Sequence, residues 1–517
     1  MNRTIRLVPA VITAGVCLGA LGAVAVPAHA AARTYTIGVR AIDRTGKAVK
    51  ANGYLINVKD GREHPVGAGR TRKVPAGTYA VTTEISTGET VTWATRVVSV
   101  SRSQYVSFDA RQGRQVRFGV DDPTAEVTSL NVLPLVRGRW AMQPTDGSTP
   151  PKGTYVIPMK SKYVTFAAHA VLEKKGTAPE QASPYRYDLV RVHKGGIPQK
   201  PSYYDRRSKL ARVDVSVRSI DADQTGWLSL EATGKSNSSY LTPLDTSLGA
   251  LPRTVISYRT PGYKWHPNIT INGPHGNARI WDSNNDPVYA ARRYKETWGG
   301  GVWGPGPRGV DANMWGRRLL VYPRTLICQP PHTVNEDCEL SGVTKFSRLY
   351  RGRTLLAQGK GDLSARISTK STWYTLKSTA SRPQGALLST RLWSTWRFKA
   401  RGYDDSFSHG GASLLTVIYT PWGLDGRNHA ARGSLTKIPV YVRDGSGHKL
   451  AVKSIIIEAS VDGGKTWRRT SVKRDGKRWM ASVRNPGTAG FVSLRATVKD
   501  ARGNTVWQTI ANAYGVR

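Results

Sequence analysis

The sequence predicts an all-β protein made of several β-sandwich modules in tandem. Its 517 residues correspond to three or four domains at roughly 150 residues each. The 52 glycines, the 29 prolines and a hydrophobic content of 39% favour many short strands and turns over disorder or long helices. The third observation is the C-terminal stretch from Ser454 to Val516, where short runs of alternating polarity are separated by turn residues.

This C-terminal stretch is predicted to be a β-meander with one packed and one solvated face. Hairpin turns are predicted at Asp462-Gly463-Gly464 and at Asp475-Gly476. Apolar residues at positions 492, 494, 496 and 498 mark the packed face of the fourth strand. The five predicted strands are Ile455–Val461, Trp467–Lys473, Arg478–Val483, Phe491–Val498 and Thr505–Ala511.

The first of these hairpins carries the segment SVDGGKTW, Ser460 to Trp467. It fits the Asp-box pattern SxDxGxTW, in which the aspartate accepts hydrogen bonds from turn amides, glycine supplies positive φ and tryptophan covers the hairpin. The motif therefore predicts a structural turn and not a catalytic one.

These residues also carry a resemblance to a known family. ASVDGGKTW, VRNPGTAGFVSLRATVKDARGNTV and QTIANAYGV resemble the last immunoglobulin-like module of long actinobacterial secreted subtilisin-like serine peptidases. Upstream, VPAGTYAV, FDARQGRQVRFGV, YKETWGGGVWGPGPR, STWYTLKST and LLSTRLWSTWRFKARG resemble the accessory region that follows the protease domain there. The protease segments Asp-Thr-Gly, His-Gly-Thr-His and Gly-Thr-Ser-Met are missing from the sequence. The resemblance therefore implies a non-catalytic chain.

Residues 1–30 have the features of a secretory signal peptide. Arg3 and Arg6 precede an apolar core, and Ala28-His29-Ala30 forms a small-residue cleavage site. No other apolar run approaches the roughly 20 residues that a membrane-spanning helix needs. We therefore expect a secreted, extracellular protein that is cleaved near Ala30 and has no membrane span.

The mature chain is expected to form four modules. Residues 31–110 resemble a carboxypeptidase-regulatory-like β-sandwich, because the step VPAGTY, Val74 to Tyr79, turns the chain into a strand whose tyrosine packs inward. Residues 111–252 are predicted to form a β-rich domain, residues 253–433 a Trp-rich jelly-roll or sandwich domain, and residues 434–517 the immunoglobulin-like domain.

Two cysteines remain after the signal peptide. Cys328 and Cys338 bracket the segment QPPHTVNED, and in an oxidising compartment a disulfide bond is the default interpretation. A zinc site with His332 as third ligand is the alternative, but no CxxC or HxxxH spacing supports it.

Two short loops imitate calcium sites without completing them. Asp221, Asp223 and Gly226 begin like an EF-hand, but Ala232 stands where glutamate is required at position twelve. In DSNNDP, residues 282–287, Pro287 replaces the required glycine. Exposed turns are favoured at both loops, and no metal or other cofactor is predicted.

No catalytic motif is found. The sequence has no GxSxG, HExxH, P-loop or GxGxxG followed by a helix. Asp404, Asp405 and His409 are the candidate acid and base cluster, but adjacent carboxylates in a loop are usually solvated. We expect the protein not to be an enzyme, with a divergent hydrolase as the alternative.

The region after residue 253 is rich in aromatic residues, for which two interpretations stay open. Aromatic faces stack on sugars, and tryptophan also fills sandwich cores because it buries a large apolar area. Core packing is favoured. The candidate glycan-stacking residues are Trp265, Trp281, Trp298, Trp303 and Trp315.

Charge gives the most specific indication of a partner. The formal net charge is +41, and a chain this basic is expected to attract anionic polymers. One segment is especially dense in positive charge, with the single acid Asp475 among seven basic residues that we call the basic ribbon. These are Lys465, Arg468, Arg469, Lys473, Arg474, Lys477 and Arg478.

The function predicted from these features is extracellular binding or adhesion. The expected partners are anionic cell-envelope polymers or polysaccharide, bound without specific nucleic-acid recognition. The alternatives are a carbohydrate-binding protein that uses the Trp-rich region, and an accessory subunit of a secreted hydrolase or peptidase.

Overall fold

The protein is almost entirely β, as the computed structural model shows. In the part of the chain that it describes, the elements are 40 strands and two single-turn 3-10 helices, Ala110–Gln112 and Arg207–Lys209. The predicted all-β class is confirmed. No described helix has the length and apolarity needed to cross a bilayer. The predicted signal peptide lies outside the described residues, which are 33–67, 69–137, 153–176, 181–234, 243–282, 287–306, 310–324, 326–328, 336–412, 414–444, 450–476 and 478–517.

The N-terminal strands form two sheets around a common core. One sheet has the order β2-β1-β5, with β8 pairing in parallel with β1, and the other has the order β4-β3-β6-β7-β12-β9. Tyr79 is fully buried, as the PAGTY step predicted. The first twelve described strands of the chain, of which β10 and β11 belong to other sheets, are β1 (Thr34–Ile42), β2 (Ala48–Val49), β3 (Gly53–Asn57), β4 (Glu63–Val66), β5 (Thr71–Pro75), β6 (Gly77–Thr87), β7 (Thr90–Val100), β8 (Gln104–Asp109), β9 (Arg114–Gln115), β10 (Arg117–Val120), β11 (Ala125–Val136) and β12 (Gly153–Val156).

The middle of the chain adds a six-stranded sheet, β11-β13-β14-β19-β16-β22, and a five-stranded sheet, β18-β17-β20-β21-β25. Apolar residues of both sheets belong to one core cluster. The next thirteen described strands of the chain, of which β15 pairs with β10 and β23 and β24 belong to a later sheet, are β13 (Met159–Lys174), β14 (Tyr185–Ile197), β15 (Ser202–Asp205), β16 (Ala211–Val217), β17 (Thr225–Thr233), β18 (Leu244–Ala250), β19 (Arg253–Arg259), β20 (Lys264–Asn272), β21 (Ala278–Asp282), β22 (Arg293–Trp298), β23 (Asp311–Trp315), β24 (Arg318–Tyr322) and β25 (Glu336–Leu340).

The C-terminal half is built on a nine-stranded sheet whose main order is β27-β26-β29-β30-β40-β39-β35-β36. Two four-stranded sheets, β28-β24-β23-β31 and β32-β34-β38-β37, complete this half. The strands are β26 (Thr344–Arg351), β27 (Thr354–Gly359), β28 (Leu363–Arg366), β29 (Thr372–Ser381), β30 (Arg391–Ala400), β31 (Ser408–Gly411), β32 (Thr416–Tyr419), β33 (His429–Ala430), β34 (Leu435–Arg443), β35 (Val452–Ser460), β36 (Arg468–Arg469), β37 (Ser471–Asp475), β38 (Arg478–Arg484), β39 (Gly490–Asp500) and β40 (Thr505–Val516).

The predicted C-terminal meander is instead a two-sheet sandwich. Residues 467–473 do not form one strand, because Arg468 and Arg469 pair with β35 while Ser471 to Asp475 pair with β38 in the facing sheet. The chain changes sheet at Thr470, whose amide donates to the carbonyl of Ile457 (2.9 Å). The predicted packed face of β39 is correct, since its residues at 492, 494, 496 and 498 are all fully buried.

Strand pairing connects segments that are far apart in the sequence. β19 pairs with both β14 and β16, so one sheet contains strands from either side of residue 252. β30 pairs with β40, so another contains strands from either side of residue 433. The predicted disulfide between Cys328 and Cys338 is present, with a Cα–Cα distance of 5.8 Å.

Candidate functional site

The basic ribbon lies along one edge of the C-terminal sandwich. Arg468 and Arg469 are in β36, at the edge of the nine-stranded sheet, while Lys473 and Arg474 are in β37, at the edge of the facing sheet. These four side chains and that of Lys465 are exposed, and no ion pair joins any of the five to a described carboxylate. Arg478 is half-buried, and Lys477 lies outside the described residues.

The Asp-box turn holds the first half of the ribbon in place. The Asp462 carboxylate accepts hydrogen bonds from the Thr466 hydroxyl (2.5 Å), the Thr466 amide (3.0 Å) and the Ser460 hydroxyl (2.7 Å). These bonds hold the pKa of Asp462 well below its ordinary value, and the bond from the Thr466 hydroxyl contributes most. Trp467 covers the turn by donating from Nε1 to the Gly464 carbonyl (3.0 Å). The contacts are those expected of a structural hairpin.

The second half of the ribbon borders a cleft at one end of the same sandwich. The cleft has a volume of about 310 Å³ and is lined by Arg443, Arg474, Arg478 and Trp479, with apolar residues of β34 and β35 beneath them. No acidic residue is among the described residues that line it. We call this feature the arginine cleft.

Each arginine of the cleft lies beside an aromatic ring, that of Arg443 being Tyr441 at 5.5 Å. The Arg474 guanidinium lies 5.7 Å from the Trp479 ring centroid, and that of Arg478 lies 4.8 Å from the Trp422 ring. Arg478 also donates to Asp475 (2.9 Å). Its pKa is raised by that hydrogen bond and by Tyr441.

Arg443 is the most enclosed cation of the cleft. Burial lowers the pKa of its guanidinium, and its Nη1 donates to the Val442 carbonyl (3.3 Å). Guanidinium groups bind phosphate, sulfate and carboxylate with paired hydrogen bonds. A partly desolvated arginine among other arginines is therefore suited to an anionic group. The sequence analysis missed Arg443 because only the pairing of β34 with β38 brings it beside the ribbon.

The candidate glycan-stacking tryptophans separate into two groups. Trp265, Trp298 and Trp303 are buried in the main core cluster, so their rings have no free face to offer a sugar. Trp265 and Trp303 donate their indole N–H groups to the carbonyls of Thr260 and Gly299. Trp281 is half-buried, and Trp315 is 51% exposed. Two of the five rings therefore have accessible surface.

The cluster at residues 404–409 is an ion-paired surface loop. His409 Nε2 lies 2.7 Å and 2.8 Å from the two Asp405 carboxylate oxygens, and this contact lowers the pKa of Asp405. The His409 ring stacks on Tyr403 at 3.6 Å, and Asp404 pairs with Arg317. The histidine and the two carboxylates thus serve contacts within the loop and its neighbouring hairpin.

The loop that imitates a calcium site contains an ion pair. Asp221, expected in an exposed turn, is buried and pairs with Arg382, whereas Asp223 is exposed. The guanidinium thus neutralises the carboxylate that a calcium ion would bind. No group of three or more metal-ligating side chains is found among the described residues.

Comparisons with known proteins identify no family. No protein-family model and no curated protein matches the chain. Among solved structures, Escherichia coli alpha-2-macroglobulin activated by porcine elastase has 9% identity and a TM-score of 0.14, covering 94% of this chain and 53% of that chain. The native conformation of E. coli alpha-2-macroglobulin has 8% identity and a TM-score of 0.12, covering 92% of this chain and 36% of that chain. The chain thus spans about half or less of these proteins, and the scores are too low to support an argument from them.

Proposed function

We propose that this protein is a secreted, non-enzymatic chain that binds anionic polymers outside the cell through the arginine cleft and the adjacent basic ribbon. Its β-sandwich modules hold this surface in a fixed geometry. The resemblance of its segments to the accessory region of subtilisin-like peptidases supports the same non-catalytic role. The natural partners would be phosphate-bearing or acidic polymers of the cell envelope.

The observation that carries the proposal is the arginine cleft. Three guanidinium groups border one open cleft whose described lining has no carboxylate. Asp475 already pairs with Arg478, and an anionic ligand would add a countercharge for the neighbouring guanidinium groups of Arg443 and Arg474. The exposed Arg468 and Arg469 extend the positive surface away from the cleft, as a linear polymer would require.

The test uses the full mature chain and fluorescent polyphosphate, with affinity measured by anisotropy. The variant R443Q/R474Q/R478Q should bind at least about tenfold more weakly than wild type, because three charge-assisted contacts are removed. The control R348Q/R351Q/R353Q removes the same charge from exposed positions outside the cleft and should change affinity by less than about threefold. Equal losses in the two variants would mean that net charge, and not the cleft, accounts for binding.

A further inference from the structure

The five-stranded sheet β18-β17-β20-β21-β25 has two faces of different character. Its inner face carries Leu228, Leu230, Ile269 and Ile280, which are fully buried in the main core cluster. The opposite face forms a shallow depression of about 370 Å³, and its described lining residues are Ser229, Glu231, Pro243, His266, Asn268, Arg279, Trp281 and Glu339. This face therefore places a half-buried tryptophan, Trp281, among polar side chains on the solvent side of the sheet.

Strand register places these side chains in rows across the depression. Ser229 is paired with Asn268, and Asn268 is paired on its other side with Trp281. One row further along, Trp227 is paired with Thr270, and Thr270 with Arg279. Paired residues project from the same face of a sheet, so both tryptophans belong to this face.

The two rings are spaced for an extended ligand. Trp227 is 42% exposed, and Trp281 is half-buried beneath the Arg279 guanidinium at 5.6 Å. They lie two strands apart and one row apart, which corresponds to about 12 Å between their Cα atoms. A short chain of linked units is long enough to span these two positions.

Asn268 supplies a hydrogen-bonding group between the two rings. Its Oδ1 is buried and has no hydrogen-bond partner among the described residues, although buried acceptors are nearly always paired in folded proteins. A ligand hydroxyl group that donates to Oδ1 would supply the missing partner. Ser229 and His266 place further polar groups around the same position.

The charges of this face oppose an anionic ligand. The described lining of the depression includes two carboxylates, Glu231 and Glu339, and one guanidinium, that of Arg279. This balance contrasts with the arginine cleft and with the net charge of +41 for the whole chain. The ligand that fits is uncharged, rich in hydroxyl groups and composed of repeating units with apolar C–H faces.

We propose that this sheet face binds a run of uncharged sugar residues of a polysaccharide, with Trp281 and Trp227 as stacking platforms and Asn268 as an acceptor for a sugar hydroxyl. The site is separate from the arginine cleft and does not depend on it. The protein would then hold two kinds of polymer at once, one by charge and one by stacking.

The test is calorimetric titration of the full mature chain with cellohexaose, xylohexaose, mannohexaose and laminarihexaose. Wild type should bind at least one of these with a Kd below about 1 mM, and the Kd should be unchanged between about 0.05 and 0.5 M NaCl because no ion pair is involved. If none of the four oligosaccharides binds, the proposal is wrong.

Variants locate the site. W281A and N268A should each weaken binding by about tenfold or more, and W227A by a smaller factor. The control W315A removes another exposed ring, from β23, and should bind as wild type. Variants that retain the wild-type melting temperature and the wild-type Kd would exclude this face. The arginine-cleft triple variant should keep its sugar affinity, so failure of one proposed site is distinguishable from failure of the other.

Discussion

Asp221 and Arg382 form a buried ion pair that joins two loops separated by 161 positions in the sequence. The Asp221 carboxylate also accepts from the Leu387 amide (2.8 Å), and Arg382 Nη1 donates to the Leu388 carbonyl (2.7 Å). The pair thus fixes the loop before β17 against the loop between β29 and β30.

Removing one partner of this pair should destabilise the protein strongly. The variant R382M leaves the Asp221 carboxylate buried without a countercharge, which typically costs about 3–5 kcal/mol. Urea denaturation should therefore show a lower free energy of unfolding. The double variant D221L/R382M should recover part of the loss, because an apolar pair of similar volume leaves no buried charge. A double variant less stable than R382M would contradict this account.

A second buried ion pair, between Arg186 and Asp188, should make the free energy of unfolding depend on pH in the acid range. Burial alone would raise the pKa of Asp188, but the charge of Arg186 and hydrogen bonds from His169 and Arg186 lower it from 3.8 to about 2. The folded state therefore binds this proton less readily than the unfolded state does. The resulting stabilisation, about 2 kcal/mol, is present above pH 3.8 and is lost as the pH falls toward 2.

Carboxyl carbon NMR checks this directly. The Asp188 resonance should still report an ionised side chain at about pH 3, where an ordinary aspartate is mostly protonated. Denaturation of wild type should show the corresponding loss of stability between about pH 4 and 2. A titration midpoint near pH 4 for Asp188 would show that this carboxylate does not cause the loss of stability in acid.

The disulfide should stabilise the segment between β24 and β25. Replacing Cys328 and Cys338 by serine should lower the free energy of unfolding by about 2–4 kcal/mol, since the closed loop no longer restricts the unfolded chain. Thermal unfolding with and without reductant measures the effect. Reductant should lower the melting temperature of wild type and leave that of the double serine variant unchanged.

The basic ribbon should give binding that weakens steeply with salt. If six side chains contact phosphates, affinity for a DNA duplex should fall by about 10³ or more between about 50 and 200 mM salt, because condensed counterions are released. The variant R468E/R469E/R474E/R478E should elute much earlier than wild type from a phosphocellulose column. Equal elution of wild type and the variant would show that the ribbon is not part of the binding surface.

We expect no hydrolysis of casein or of ester substrates by the purified protein. His409 already contacts both Asp405 and Tyr403 within its loop, so H409A should leave any background rate unchanged. Turnover above that of a mock preparation, abolished by one point substitution, would overturn the non-enzymatic interpretation.

Local chemistry in the C-terminal stretch was predictable, while pairing between distant strands was not. The buried face of β39 follows from alternating polarity, and the Asp-box turn follows from its glycines and its aspartate. The split of residues 467–473 between two sheets could not be predicted from local sequence, because it depends on the distant strand with which each half pairs. Arg443 and the rows around Asn268 were missed for the same reason.

Core packing was correctly favoured for most of the tryptophans, but the sequence could not show which of them stay accessible. Trp281 and Trp303 belong to the same aromatic-rich region, yet one lines a polar depression and the other is buried in the core. Their environments depend on strand register and on the layer above each sheet. The calcium-like sequence at Asp221 is another example, because the role of this carboxylate became clear only from its ion pair with the distant Arg382.

The position of β40 between β30 and β39 has a consequence for how the chain reaches its native state. β40 pairs with β39 as a hairpin across the short turn at residues 501–504, whereas β30 lies far upstream in the sequence. Pairing between remote strands is slow, and a β30 without β40 would present an open sheet edge of the kind that recruits other chains. We therefore expect substitutions that weaken the β30–β40 pairing to promote self-association.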